Sequence, residues 1–133
     1  ERPVHTISLY DGGRGGGDAA RGCELFVTAA LDGAVKLWDL RSPRAAARTF
    51  AGAHANRVHA IGAALSPCLR YVGVGSEDRH AYLYDVRSGG VVGATDGAVR
   101  AVDAVVDVAF SPVHPQLATA SLDGRVRFFA DRE

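Results

Sequence analysis

Methionine is absent from the 133 residues, so Glu1 is not an initiator position and the chain reads as a fragment, a processed product or an incomplete gene model. Cysteine is scarce: Cys23 and Cys68 have no metal-ligand spacing. That excludes a disulfide framework and fits two ordinary thiols in a reduced compartment, so an intracellular and cytoplasmic setting is the expectation. No window reaches 18 consecutive apolar residues, which excludes an apolar membrane-spanning helix, and no apolar segment of signal-peptide type opens the chain. Net charge is lacking too. Fifteen basic and fifteen acidic side chains cancel, which argues against a nucleic-acid binder driven by bulk charge and against an acidic tail. Lys36 is the only lysine beside fourteen arginines. No Gly-x-Ser-x-Gly occurs, so there is no nucleophile elbow, and no stripe of 3.6-residue period runs far enough to make a helix.

What the chain does have is an internal repeat. Leu31-Asp32-Gly33, Glu77-Asp78-Arg79 and Leu122-Asp123-Gly124 recur at offsets of 46 and 45 residues. Their flanks fall into register. Val35-Lys36-Leu37-Trp38-Asp39 aligns with Ala81-Tyr82-Leu83-Tyr84-Asp85 and with Val126-Arg127-Phe128-Phe129-Ala130. Ala64-Leu65-Ser66-Pro67 matches Ala109-Phe110-Ser111-Pro112 at offset 45. The runs are short, rich in Val, Ala, Leu and aromatics, and bounded by Gly, Asp, Ser and Pro, which is strand-and-turn patterning. Asp-Gly at 32–33 and 123–124 marks tight hairpins. The expected strands are Val4–Leu9, Glu24–Ala30, Ala34–Asp39 and Ala47–Ala51; then Val58–Leu65, Arg70–Ser76, His80–Val86 and Val91–Thr95; then Val102–Phe110, Gln116–Ser121 and Arg125–Ala130. Four short antiparallel strands in about 45 residues make a propeller blade. The expectation is all-β: a partial β-propeller of about three four-stranded blades, near 1–51, 57–95 and 102–131, the last lacking its outer strand. The Gly-rich stretch 11–23 has one Arg before Cys23 flanked by Gly runs and no helix after it, so it reads as a loop and not as a phosphate cradle.

Leu37-Trp38-Asp39 closing a unit, Ser76-x-Asp78 in a turn and Phe110-Ser111-Pro112 after a strand together resemble WD40 repeats, over essentially the whole chain. The resemblance implies a rigid β-propeller that presents turns to other proteins. It also implies a buried polar network in each blade, built from a His, a Ser or Thr, an Asp and a Trp, in which an orphaned member costs more than a satisfied bond contributes. The middle unit has His54, Ser76, Asp78 and Tyr84, with Tyr in place of Trp. The first has Asp32 and Trp38, with Ala30 where the hydroxyl would be. The third has Ser121 and Asp123, with Phe129 in place of Trp and Ala101 or Val102 near the place of the His. Packing between blades is therefore expected to outweigh polar locking. A narrower likeness, carried by Ser66-Pro67-Cys68, Glu77–Tyr82 and Pro115–Ala120, implies the C-terminal blades of a longer family member, with upstream blades or self-association needed to close the ring.

The functional expectation is a non-enzymatic interaction scaffold with no cofactor and no metal. Its contact face would comprise the turns after each second strand and the loops before each first strand: Leu31, Arg57, Glu77, Arg79, Leu122 and Arg125. Exposed Arg beside apolar anchors is what carries interface energy. The alternative is a hydrolase or oxidoreductase on a propeller scaffold. His5, His54, His59, His80 and His114 are scattered, and a metal pair at 54 and 59 would need a further convergent ligand. Asp103 and Asp107, four apart on an expected strand, share a face and are the paired carboxylates that acid–base work would use. Nucleic-acid binding ranks below both, since no basic stripe with interleaved aromatics is visible.

Overall fold

The computed structural model describes residues 2–10, 25–95 and 101–130; the Gly-rich stretch 11–23 lies outside them. Among the described residues there are eleven strands and no helix. The first sheet runs β1 (Val4–Leu9), β2 (Leu25–Ala30), β3 (Val35–Asp39) and β4 (Arg48–Phe50). The second runs β5 (Ala63–Leu65), β6 (Tyr71–Gly75), β7 (Ala81–Asp85) and β8 (Val91–Ala94). The third holds β9 (Val105–Phe110), β10 (Gln116–Ser121) and β11 (Val126–Ala130). Every pairing is antiparallel between strands adjacent in sequence. The three sheets do not close on themselves, which is the architecture of a partial propeller.

Two expected strands begin later than the sequence pattern suggests. The run expected from Val58 becomes a strand only at Ala63, and the run expected from Val102 only at Val105. The backbone N–H groups of residues 57–59 and 102 are taken by side-chain carboxylates and do not enter a ladder. Asp103 consequently lies in a loop, and its carboxylate accepts from the N–H of Ala104 while that of Asp107 accepts from Val108. The expected strand partnership of these two acids does not form.

Alternation along the strands sorts the side chains into faces. Val27, Ala29, Val35 and Leu37 of the first sheet are buried with Leu65, Val72, Val74 and Tyr84 of the second and with Ile61 from the loop before β5. The opposite face of the second sheet, small apart from Leu83 (Ala64, Gly73, Gly75, Ala81), receives Val105, Val108, Phe110, Leu117 and Phe129 from the third. Each such buried Val or Leu contributes about 1.5–3 kcal/mol relative to exposure. Hydrogen bonds stitch the inner strands of adjacent sheets. Thr6 Oγ1 donates to the Ile61 carbonyl at 3.1 Å, and the Ile61 N–H donates to His5 Nε2 at 2.9 Å. The Gly62 N–H reaches the Val106 carbonyl at 2.7 Å, and the Val105 N–H reaches Ser76 at 2.9 Å. Glycine is required at 75, where a Cβ would stand 2.3 Å from the Val105 carbonyl oxygen.

Two sheet faces stay open. On the first, Ile7 and Leu9 are exposed beside Phe26 and Trp38, whose rings stack with centroids 6.2 Å apart. On the third, Val126 and Phe128 are exposed.

Candidate interaction face

The β2–β3, β6–β7 and β10–β11 turns and the loops before β5 and β9 meet at one end of the sheets. Asp-Gly sequences make the first and third of these turns. Gly33 and Gly124 sit at φ 80° and 79°, and Arg79 takes the same left-handed conformation at φ 76°. Each turn is tied to the entry of the first strand of its own sheet. The Leu31 N–H reaches the Pro3 carbonyl at 3.4 Å, Glu77 N–H that of Ala55 at 2.9 Å, and Leu122 N–H that of Ala104 at 3.0 Å.

Carboxylates complete the ties. Glu77 Oε1 accepts from the N–H groups of Arg57, Val58 and His59 at 2.9, 2.7 and 2.8 Å. Burial alone would raise this carboxyl, but the three N–H donors outweigh it and hold its pKa below the ordinary value. In the third sheet Asp123 does related work. Its Oδ2 accepts from the Val102 N–H at 3.0 Å and its Oδ1 from the Arg125 N–H at 3.0 Å. Arg127 closes on both oxygens at 2.8 and 3.2 Å, with both side chains 9 % exposed. The Arg127 guanidinium, then the Val102 N–H, hold the Asp123 carboxyl well below the usual carboxylate range. Both loops are thereby fixed with a valine held outward: Val58 is 74 % exposed and Val102 69 %.

Of the residues expected on the contact face, Arg57, Arg79, Leu122 and Arg125 are exposed and Leu31 is half-buried. Glu77 is half-buried and engaged with the loop, so it positions Arg57 and Val58. Val58, Val102 and Arg127 were not singled out from the sequence. The signal available for Arg127 was its spacing of four from Asp123 on a tight hairpin.

The expected polar network is rewired. In the middle unit the Tyr84 hydroxyl reaches the imidazole directly, 2.8 Å from His54 Nδ1, and accepts from the N–H groups of Ala53 and His54 at 3.3 Å each. A phenol extends further along its axis than an indole N–H, so it passes the serine. Ser76 Oγ instead accepts from the Ala55 N–H at 2.8 Å, and Asp78 accepts from the Tyr82 hydroxyl and the His80 N–H. Burial lowers the His54 pKa, and the Asp78 charge opposes that only in part. In the first unit Trp38 Nε1 donates to Thr28 Oγ1 at 2.9 Å, so the hydroxyl absent at Ala30 is supplied two residues earlier. Asp32 caps its own turn, accepting from Ala34 N–H at 2.9 Å. In the third, Ser121 Oγ donates to the Asp103 carbonyl at 3.0 Å.

Among the described residues no group of three or more His, Cys, Asp or Glu side chains is placed to hold a metal ion. No helix of the described residues is long and apolar enough to cross a membrane. Residues 96–129 match the family model described as WD domain, G-beta repeat. That match spans the third unit and supports the WD-repeat family, with which the all-β fold of three open antiparallel sheets agrees.

Proposed function

We propose that this chain is a non-enzymatic interaction scaffold whose contact surface is the end of the sheets carrying the carboxylate-pinned loops. WD40 repeats in general mediate protein–protein interaction. The observation that carries the reading for this chain is the capture of Arg57, Val58 and His59 N–H by the one oxygen of Glu77. An apolar side chain held outward beside a guanidinium by fixed backbone loses little freedom on binding, and preorganisation of that kind is what converts contact into affinity. Arg79, Leu122 and Arg125 extend the surface across the second and third sheets.

Three blades, about 1–51, 57–95 and 102–131, are read as the C-terminal part of a longer propeller. The open faces at Leu9 and Phe128 support further sheet units covering them. Upstream blades are the cover in the longer protein, and a second copy of this chain is the substitute when it is alone. An enzymatic reading finds no favouring observation. The groups it would use are committed elsewhere: His54 to Tyr84, Asp103 and Asp107 to neighbouring backbone.

The test is affinity capture with the purified chain as bait, against the same chain carrying Arg79→Glu and Arg125→Glu, with quantitative mass spectrometry of what is retained. The reading expects specific proteins to be lost from the variant while its melting temperature holds. Retention identical in both would remove this face.

A further inference from the structure

The sequence contains three Ser-Pro pairs, at 42–43, 66–67 and 111–112. The fold treats them differently. Ser66 is 3 % exposed, and its Oγ accepts from the Tyr71 N–H at 3.0 Å and lies 3.3 Å from Cys68 Sγ. Ser111 is half-buried, and its Oγ accepts from the N–H groups of Val113 and His114 at 3.4 and 3.2 Å. Both hydroxyls cap the turn that follows the first strand of their sheet. Ser42 has neither constraint. It stands in the β3–β4 turn, where Leu40 to Ala45 are all exposed, and its Oγ has no hydrogen-bond partner among the described residues.

The surroundings of Ser42 are those of an acceptor for a phosphate. Its own N–H donates to the Asp39 carbonyl at 3.0 Å, which anchors the base of the turn and leaves the side chain outward. Arg41 is drawn back onto Asp39, with Nη2 2.8 Å from Oδ2. Arg44, two residues on, is exposed and makes no ion pair among the described residues. Pro43 fixes its own φ and offers no N–H, which suits a kinase cleft that has no acceptor to satisfy at that position.

We propose that Ser42 is a phosphorylation site for a proline-directed protein kinase using ATP. The Ser42 Oγ attacks the γ-phosphorus of ATP. The new O–P bond forms as the bond from that phosphorus to the β–γ bridging oxygen breaks. ADP departs, and the hydroxyl proton passes to the carboxylate base of the kinase. The product carries about −1.5 to −2 charge at pH 7. That charge sits beside Arg44 and competes with Asp39 for Arg41. The β3–β4 turn is at the opposite end of its sheet from Leu31–Ala34, so the modification leaves the surface assigned above untouched, and either idea can fail alone.

The experiment is phosphorylation of the folded full chain by a purified mitogen-activated protein kinase with ATP, with the site mapped by tandem mass spectrometry. A synthetic peptide of residues 38–47 runs in parallel. One phosphate at Ser42 is expected, lost in Ser42→Ala and in Pro43→Ala, with Ser66 and Ser111 of the folded chain unmodified. Phosphate on Ser66 or Ser111 of the folded chain, or uptake unchanged in Ser42→Ala, overturns the proposal. So does a peptide that is modified while the folded chain is not, or a peptide that is not modified at all.

Discussion

Arg79 holds at φ 76° the left-handed conformation that Gly124, its counterpart in the third unit, holds at 79°. A side chain in that region costs about 1–2 kcal/mol, and glycine there gives back about 0.5–1 kcal/mol through the freedom it loses on folding. Arg79→Gly is therefore expected to stabilise the chain by roughly 0.5–1 kcal/mol. A urea midpoint equal to or below that of the parent would show that the Arg79 side chain makes compensating contacts.

Glu77 carries a sharper expectation, because three donors depend on one oxygen. Its folded pKa lies below the ordinary glutamate value, so the unfolded chain takes up this proton first as pH falls. The stabilisation is fully present above about pH 4.3, the unperturbed glutamate value, and is lost as pH drops below it. Glu77→Ala is expected to cost about 1.5–3 kcal/mol, the range for bonds to a charged group. Hydrogen exchange should locate the loss at the amides of Arg57, Val58 and His59. Protection there unchanged in the variant would remove Glu77 as the loop's anchor.

How far the fold could be read ahead of the structure follows from the same residues. The all-β class rests on period-two alternation and on Asp-Gly turns, which are local signals. Side-chain capture of backbone is not local. Residues 58–62 look like a strand start, but Glu77, nineteen residues on from Val58, takes the N–H groups of Val58 and His59, and His5 and Val106 take those of Ile61 and Gly62. Thr28 escaped notice for a related reason. Phe26 pairs with Trp38 and Thr28 with Lys36, so the hydroxyl that meets the indole is diagonal across the sheet and is set by register. The repeat places Asp32, Asp78 and Asp123 in equivalent turns, but what each holds differs: Asp32 caps its own turn two residues on, while Asp78 and Asp123 meet Tyr82 and Arg127, four residues on, which return along the next strand.

Two glycines of the second sheet, on β6 and β8, give a matched comparison. A Cβ at Gly75 would meet the Val105 carbonyl oxygen at 2.3 Å and Ile61 Cγ2 at 2.9 Å, where backbone blocks relaxation. Gly93 has nothing within 4 Å and no positive φ. Gly75→Ala is expected to cost about 1–3 kcal/mol or more by forcing the second and third sheets apart. Gly93→Ala should be neutral or stabilise by about 0.4–1 kcal/mol through the unfolded chain. Equal melting temperatures for the two variants would mean that the third sheet does not seat on the second as described.

The His54–Tyr84 pair predicts a second pH window, distinct from that of Glu77. Burial favours the neutral imidazole, so the folded pKa is below the ordinary value and the unfolded chain binds the proton more readily. Stability contributed by keeping His54 neutral is complete above about pH 6.5 and declines as pH falls below it. In His54→Gln that decline should vanish between neutrality and the carboxylate range. Tyr84→Phe leaves the N–H groups of Ala53 and His54 without their acceptor, at a cost of about 1–3 kcal/mol. A stability profile of His54→Gln parallel to that of the parent from pH 7 to 5 would falsify the assignment.

Leu9 and Phe128, each 74 % exposed, lie on the two sheet faces that no other sheet covers. The interior contains the same kind of contact twice. Bulky side chains of one sheet, Leu65, Val72 and Tyr84 or Phe110, Leu117 and Phe129, seat against a neighbour's smaller face. The open face of the first sheet, with Leu9, Phe26 and Trp38, corresponds by repeat position to the bulky partner, and that of the third, with Ala109, Ala118 and Ala120, to the smaller one. Continuous apolar surface of this kind, next to the free edge of β11, drives association. The isolated chain is therefore expected to sediment as oligomers or aggregates. Leu9→Glu combined with Phe128→Glu should shift it toward monomer, because one charge falls on each face. A parent chain that scatters light as a monomer and melts in one cooperative step would mean that three sheets suffice, and that the open faces need no cover.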